Sequence, residues 1–556
     1  MPDLFATDGL TVALGLAAAS AFLLHTLLTP QSLVHPILLG RQSDVDRVRK
    51  PGESALYRNY GTGLMSRLPS RPAEGIKSLL DLVKPDFSSS RSLWGTSLTN
   101  EQLKQRVNSL GSGLVRITGL QPKESNVLLL LNDGLDFLIA DLALASLSIP
   151  SLTISSLTLL SAVLDAQPPS AIILHIEFLP RVLEQIAENH EYAHHTLILV
   201  GEGDLPAVVN KLQIKVVWLA DLERKGAKLE PVQPPSIVPS NVFSVSFYPG
   251  PNNELKATQL THENITAGVA ATRALLPFTG TISSSDSILS SHSVSTPFGR
   301  AVAYTAIFEN SHISSTTAVN LFTTESVGRT SDILKDLELL SVPATIILLT
   351  PSQLNTIVSS ILSEAKRSPL FPLAWRHKLS HILQGFLSKD SLWDKSFFSA
   401  ARNATLKKSS ESLRAVIVSG GSIESKLPTS ARVALSVPLV NVHENPLVAG
   451  PVFFSHPLDF QSFQPNHDSA TPQFEGIHHV GPPSINVEVK LLGVNDAAVE
   501  AGADPVGEVT VQGPSVTLPL EEDKESQPND WVRLEEIALV QANGTFKVIP
   551  ATKFHI

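Results

Sequence analysis

Tyr248-Pro249-Gly250-Pro251-Asn252-Asn253-Glu254-Leu255-Lys256-Ala257-Thr258-Gln259-Leu260-Thr261-His262 follows the apolar run Val242–Phe247. A lysine-bearing loop after a buried strand is a place where backbone N–H groups can converge on a phosphate. That requires glycines, which let the chain approach closely, and it gains from hydroxyls. Gly250 and Lys256 stand here, but Pro249 and Pro251 each remove a backbone donor. By its residues alone the stretch reads as a Pro/Asn-rich surface loop. Lys256 is then either solvated or left with a residual anion contact.

Outward from this loop the chain alternates between two patterns. Short continuous apolar runs recur at Val127–Leu131, Ala171–Leu174, Leu197–Val200, Val216–Leu219, Thr345–Leu349 and Ala415–Val418. Such runs suit strands buried on both faces. Helix-like segments lie between several of them. Thr99 followed by Gln102 forms a capping box, and Leu103, Val107, Leu110 and Leu114 then fall at helical spacing, with Gly111 and Gly113 weakening the helix locally. The alternation predicts an α/β fold of helix-covered mixed β-sheets. From about Asn486 the pattern changes to short alternating strands, VEVKLLGV and GEVTVQGP, which predict a β-rich end over 486–556. The Ser-rich stretch Ser283–Ser295 is punctuated by apolar residues and stays within the fold.

Composition sets limits. The 556 residues carry a net charge of -10 and 43% hydrophobic residues, ample for a sizeable core. The acidic balance gives no support for nucleic-acid binding. The chain has no cysteine, which excludes disulfides, thiolate metal sites and a cysteine nucleophile. Neighbouring residues on a strand face opposite ways, so neither His194-His195 nor His478-His479 makes a natural chelate; both read as surface or loop histidines, and no metal site is expected. At the other extreme, Gly9–Leu28 is apolar or small apart from His25 and is followed by Pro30. About 20 such residues span a bilayer as a helix. Asp3 and Asp8 precede the run, and Arg41, Arg47, Arg49 and Lys50 follow it, which puts the body on the cytoplasmic side. A cleaved signal peptide is the rival reading, against which the missing basic n-region argues. Residues 29–90 read as a juxtamembrane linker, and Asn264, Asn403 and Asn543 as unused sequons.

At the Tyr248–His262 loop the chain resembles the adenylate-forming, AMP-binding superfamily, and within it the long-chain acyl-CoA synthetases, whose phosphate loop has the form TSGTTGxPKG followed by LTH. Gly250, Lys256 and Leu260-Thr261-His262 match it. Four more fragments follow in family order. Leu289–Gly299 is similar to LSxLPxxHxxG, Leu413–Glu424 to LRxxxSGGAPLS, Val480–Lys490 to VGxPxPGVEVK, and Gly507–Val516 to GEIxVxGPxV. The resemblance implies the large N-terminal lobe of the acyl-CoA synthetase fold over residues 91–485, closed by the β-rich end.

The departures from the family pattern bear on function. The adenylation core YGxTE supplies an aromatic for adenine, a threonine for phosphate and a glutamate for Mg²⁺. Its counterpart is His443-Glu444-Asn445-Pro446-Leu447, so proline and leucine stand at the threonine and glutamate positions. Leucine cannot coordinate a hard cation. The ribose-binding aspartate of GWxxTGD corresponds to Glu536 in Asp530–Glu536, and the DRxKD arginine has no counterpart in Pro550–Lys553. The sequence stops at Ile556, so the family's lysine-bearing C-terminal domain is taken as absent. The expectation is a membrane-anchored, single-pass, catalytically impaired synthetase-like protein that binds a fatty acid or acyl-CoA, or a partner such as another acyl-CoA synthetase. The endoplasmic reticulum, lipid droplets and peroxisomes all suit it. Gly250, Lys256, Gly420, Gly421 and Glu536 are the degenerate remnant of nucleotide binding, with no catalytic residue or metal ligand assigned. The alternative is a divergent long-chain fatty acid–CoA ligase, for which ATP and Mg²⁺ would be cofactors.

Overall fold

Five of the six apolar runs form strands whose side chains are buried on both faces, and the sixth, at Val216–Trp218, is a half-buried edge strand. The computed structural model describes residues 9–28, 34–85, 89–188, 196–205, 209, 214–277, 280–321, 332–461, 472–520 and 531–553. A first eight-stranded sheet runs, edge to edge, Leu518–Pro519, Leu255–Thr261, Val242–Pro249, Ser151–Ile154, Val127–Leu130, Ala171–His175, Thr196–Val200 and Val216–Trp218. Its members from Val242–Pro249 to Val216–Trp218 are parallel; Leu255–Thr261 turns back antiparallel in a hairpin. A second eight-stranded sheet runs Pro451–Phe454, Leu439–Glu444, Ala415–Val418, Ile346–Leu349, Ser287–Ser290, His312–Ser315, Arg91–Leu93 and Thr96–Leu98. Antiparallel pairs at its two edges flank a parallel centre.

Alternation along each strand sorts the core into layers. Val127 and Leu129 of the first sheet, with Ile346, Leu348, Ala415 and Ile417 of the second, face one shared cluster. Helices Leu135–Ser146, His262–Arg273 and Pro297–Glu309 fill that cluster between the sheets. Leu128 and Leu130 pack outward against a cover of their own, as do Ile347, Leu349, Val416 and Val418 on the other sheet. Each such side chain withdrawn from water contributes about 2 kcal/mol.

The capping box forms as expected. Thr99 Oγ1 accepts the Gln102 N–H, the Gln102 side chain accepts the Thr99 N–H, and the helix runs Asn100–Gly113. Gly113 does more than weaken that helix. A Cβ there would lie 2.4 Å from the Leu222 carbonyl oxygen, so the glycine permits a backbone-close crossing with helix Leu219–Gly226.

The β-rich end is a six-stranded sheet, Ser43–Val45, Tyr57–Asn59, Glu488–Leu492, Val506–Gln512, Val532–Val540 and Phe546–Pro550. Two of its strands correct the linker reading of residues 29–90. Ser43–Val45 and Tyr57–Asn59 pair with each other, and Tyr57 pairs with Val489. Tyr57 is buried against Phe546, ring centroids 5.3 Å apart, and joins a core with Val489, Val511 and Val532. The segment reads as a linker because its apolar residues are sparse, yet one aromatic and a free sheet edge suffice to recruit it.

Gly9–Leu28 is a helix with its described side chains exposed. The expected membrane span is not found: among the described residues no helix is long and apolar enough to cross a membrane. The side chains of residues 21 and 24–28, which complete the apolar run, lie outside those described. His194-His195 and the terminal residues 554–556 also lie outside them. His478 and His479 are buried rather than at the surface, and the His479 ring lies 3.6 Å from Asp459. Among the described residues no cluster of three potential ligands could hold a metal ion.

Candidate functional site

Strand Val242–Pro249 of the first sheet and strands Ser287–Ser290 and Leu439–Glu444 of the second lead to one cavity of about 440 Å³. The C-terminal ends of strands are where open α/β sheets leave a crevice, because their connections diverge there to opposite faces. Phe247, Tyr248, Pro249, Pro297 and Phe298 give the cavity apolar walls, while Ser155, Ser295, His292, Gly420 and Glu444 bring polar atoms.

The loop after Val242–Pro249 is a tight hairpin turn whose donors are already taken. The Gly250 N–H donates to the Glu254 carbonyl at 2.8 Å, and the Asn252 N–H donates to Glu254 Oε2 at 2.9 Å. Asn253 adopts φ +61°, which closes the turn. Glu254 folds back over Gly250 so closely that a Cβ on the glycine would sit 2.1 Å from its carboxylate. Lys256 lies 3.4 Å from the same carboxylate and forms a second, shorter ion pair with Glu535. Burial works against its charge, but the two carboxylates outweigh that and hold the ammonium above its usual range.

Glu535 is outside the residues that sequence reasoning singled out. It sits at φ +57°, beside an irregularity in the pairing of Val506–Gln512 with Val532–Val540. That break in alternation lets successive carboxylates serve the same region: Glu535 reaches Lys256, and Glu536 meets His443 Nε2 at 2.9 Å. Burial opposes protonation of His443, yet the Glu536 carboxylate raises its affinity for the proton overall. Two adjacent acids before a strand end were the available signal, but nothing in a sequence marks the positive φ.

Gly420 adopts φ +86° at the end of strand Ala415–Val418 and lies at the cavity wall. A Cβ there would meet Glu444 Oε1 and His292 Cε1, each at 3.6 Å. Gly421 turns away, toward the Pro351 ring. Glu444 Oε1 lies 3.3 Å from His292 Nδ1, so a carboxylate and an imidazole close this side of the cavity. Neither was anticipated as a pair, because the two lie 152 positions apart (444 − 292) on different strands' ends. Pro446 lines the cavity, whereas Leu447 is buried among Val448, Val452 and Phe453 in the core of the third sheet. The five expected residues therefore divide. Gly420 reaches the cavity, Gly250 and Lys256 lie in the self-bonded hairpin, Glu536 holds His443, and Gly421 packs on proline.

His262, the last residue of the opening stretch, is buried and structural. Its Nδ1 accepts the Leu79 N–H at 3.2 Å and its ring stacks on Phe243 at 5.3 Å. Burial pushes its pKa down to about 4.

Residues 87–519 match the AMP-binding enzyme family. Among curated proteins, the long-chain-fatty-acid–CoA ligase 5 of Mus musculus is 22% identical over 472 residues, covering 82% of this chain and 64% of that protein. Its counterpart from Rattus norvegicus gives the same identity and coverage. The chain thus spans less than two thirds of the length of these relatives. Among solved structures, McyG A-PCP complexed with phenylalanyl-adenylate superposes with TM-score 0.60 at 14% identity, over 86% of this chain and 77% of that one. The long-chain-fatty-acid-CoA ligase FadD1 from Archaeoglobus fulgidus gives 0.57 at 15% identity, over 87% and 86%. At these identities the superpositions show a shared fold. The family match over most of the length places this chain in the AMP-binding enzyme family.

Proposed function

We propose that this protein is an acyl-CoA synthetase-like member of that family whose adenylation site is catalytically impaired, and that it holds an acyl ligand in the cavity between the two eight-stranded sheets. The observation that carries the reading is the self-bonded hairpin. The donors that a triphosphate would need, the N–H groups of Gly250 and Asn252 and the Lys256 ammonium, are engaged by Glu254 and Glu535. A nucleotide would have to displace two carboxylates to reach Asn252 and Lys256, and to open a backbone hydrogen bond to reach Gly250.

ATP·Mg²⁺ fits the remaining residues poorly. Glu444 brings a negative charge to the cavity wall, where it would face a phosphate. Leu447, at the position the resemblance assigns to the metal ligand, is apolar and buried in another core. Removing one stabilising group from such a site typically costs about 10²–10³ in rate. Several changed together leave the acyl cavity as the part of the lobe still suited to a ligand, and fatty acid or acyl-CoA as its chemical class. An apolar N-terminal helix, Gly9–Leu28, supports attachment to a membrane such as the endoplasmic reticulum, a lipid droplet or a peroxisome, where another acyl-CoA synthetase would be a suitable partner.

The second reading is an active, divergent long-chain fatty acid–CoA ligase, supported by the relatives named as such over 472 residues. Pyrophosphate exchange into ATP, with Mg²⁺ and a long-chain fatty acid, separates the two. The impaired-site reading expects no exchange above background from a folded sample. Exchange that Lys256→Ala abolishes would establish the ligase.

A further inference from the structure

A second cavity, of about 880 Å³, shares no lining residue with the first. It lies at a seam. One side is the irregular segment between strand Tyr57–Asn59 and the turn at Leu79; another is Glu488 and Gln512 of the six-stranded sheet; a third is Glu263 and Thr266 of helix His262–Arg273. The irregular segment is pinned by side chains around it. Arg58 Nη1 donates to the carbonyls of Gly63 and Leu64, at 3.1 Å each, and of Ser66 at 2.7 Å. Thr266 Oγ1 donates to the Ser70 carbonyl at 2.9 Å, and Arg273 Nη1 to that of Pro72 at 3.0 Å. A backbone held in this way presents its side chains with less left to order when a ligand arrives.

What this backbone presents is positive charge. Arg67, Arg71 and Lys77 line the cavity and are exposed, and none of their side chains has an ion-pair or hydrogen-bond partner among the described residues. Arg58 lines it too, but its charge is matched by Glu488. Glu263 is the one other acid among the described lining residues, so three unpaired cations face one unpaired carboxylate. The whole chain carries a net charge of -10, so the excess is local to this cleft. A cleft lined by one sign of charge concentrates its field and draws in the opposite ion. Guanidinium forks match the paired oxygens of a phosphate. Because these cations are exposed, each contact is modest in water. A ligand that engages several at once gains most, and the volume exceeds what one phosphate would fill.

We propose that this cavity binds a ligand carrying several phosphate groups, with Arg67, Arg71 and Lys77 donating to their oxygens. The source of the phosphates is either the head group of a phosphoinositide in a bilayer or a soluble polyphosphate. Glu263 opposes the ligand and sets a limit on affinity.

The test uses the full chain, with fluorescent inositol trisphosphate as the soluble probe. Phosphatidylcholine vesicles with and without phosphatidylinositol bisphosphate form the membrane arm. Wild type should bind the soluble probe, less tightly as salt is raised. Arg67→Ala together with Arg71→Ala should weaken it about tenfold or more. The pinning bonds go to backbone carbonyls and survive that change, which an unaltered melting temperature checks. Glu263→Gln should tighten binding about twofold or more. Lys225→Ala together with Lys228→Ala removes as much charge from exposed positions outside this cavity and should leave binding as it was. Either source supports the site. A gain on the phosphoinositide vesicles that the Arg67/Arg71 pair abolishes marks a lipid head group; soluble binding without that gain marks a free ligand. The proposal is overturned if wild type binds neither probe, or if the two double variants weaken binding equally. The acyl reading of the first cavity is untouched by that failure.

Discussion

Acidification should weaken this protein through one buried imidazole. His262 caps a contact between the helix it begins and the segment at Leu79, accepting that residue's N–H, and it stacks on Phe243. It is 1% exposed. Burial depresses its pKa from 6.5 to about 4, while Asp141 and Asp81 work more weakly in the other direction. The unfolded chain therefore binds a proton on this ring at a pH where the folded protein does not. Stability from this group is full above pH 6.5 and is lost as the pH falls toward 4. At about 1.4 kcal/mol for each pH unit over which only the unfolded ring is protonated, the loss between pH 7 and pH 5 is about 2 kcal/mol, rising to about 3 kcal/mol at pH 4. His262→Asn keeps a polar side chain but cannot titrate in this range. Denaturant midpoints of wild type and variant at pH 7 and pH 5, followed by tryptophan fluorescence, give a double difference in which all other titrations cancel. The variant starts less stable at pH 7, because the Leu79 contact is disturbed, and should lose about 2 kcal/mol less than wild type on acidification. Parallel losses in the two proteins would refute the assignment of His262 as a buried neutral base.

Two further outcomes follow from close contacts and from charge. Gly268 lies where helix His262–Arg273 meets the backbone at Ala449, and a Cβ there would come within 1.5 Å of the Ala449 carbonyl oxygen. Gly268→Ala should therefore destabilise by about 3 kcal/mol in denaturant titrations, although alanine is the better helix former by about 1 kcal/mol; an unchanged or stabilised variant would show that the two backbones are not in contact. The His443–Glu536 pair acts opposite to His262. Its raised imidazole pKa gives stability that is present below 6.5 and lost as the pH rises through the folded value. Glu536→Gln should flatten the decline in melting temperature on the alkaline side of pH 6.5, and an unaltered profile would mean the pair contributes nothing.

The sequence by itself determined the strands of the continuous apolar runs, the capped helix at Asn100 and the family. Each of these is written in local pattern: continuous apolar runs, a Thr-x-x-Gln box, and short motifs kept in order. It also marked Pro446 and Leu447 as departures, because side-chain chemistry is legible without coordinates. What only the tertiary structure decided is where groups far apart in sequence meet. Tyr57 finds a sheet edge supplied by Glu488–Leu492 more than 400 residues later, so a segment too poor in apolar residues to fold alone becomes part of a core. Glu535 reaches Lys256 through a left-handed backbone at a pairing irregularity. His292 and Glu444 meet because the strands that lead to them lie in one sheet and run the same way, the longer one carrying Glu444 past the end of the shorter. The register of a sheet and a positive φ are set by packing across the whole lobe, which no window along the chain contains.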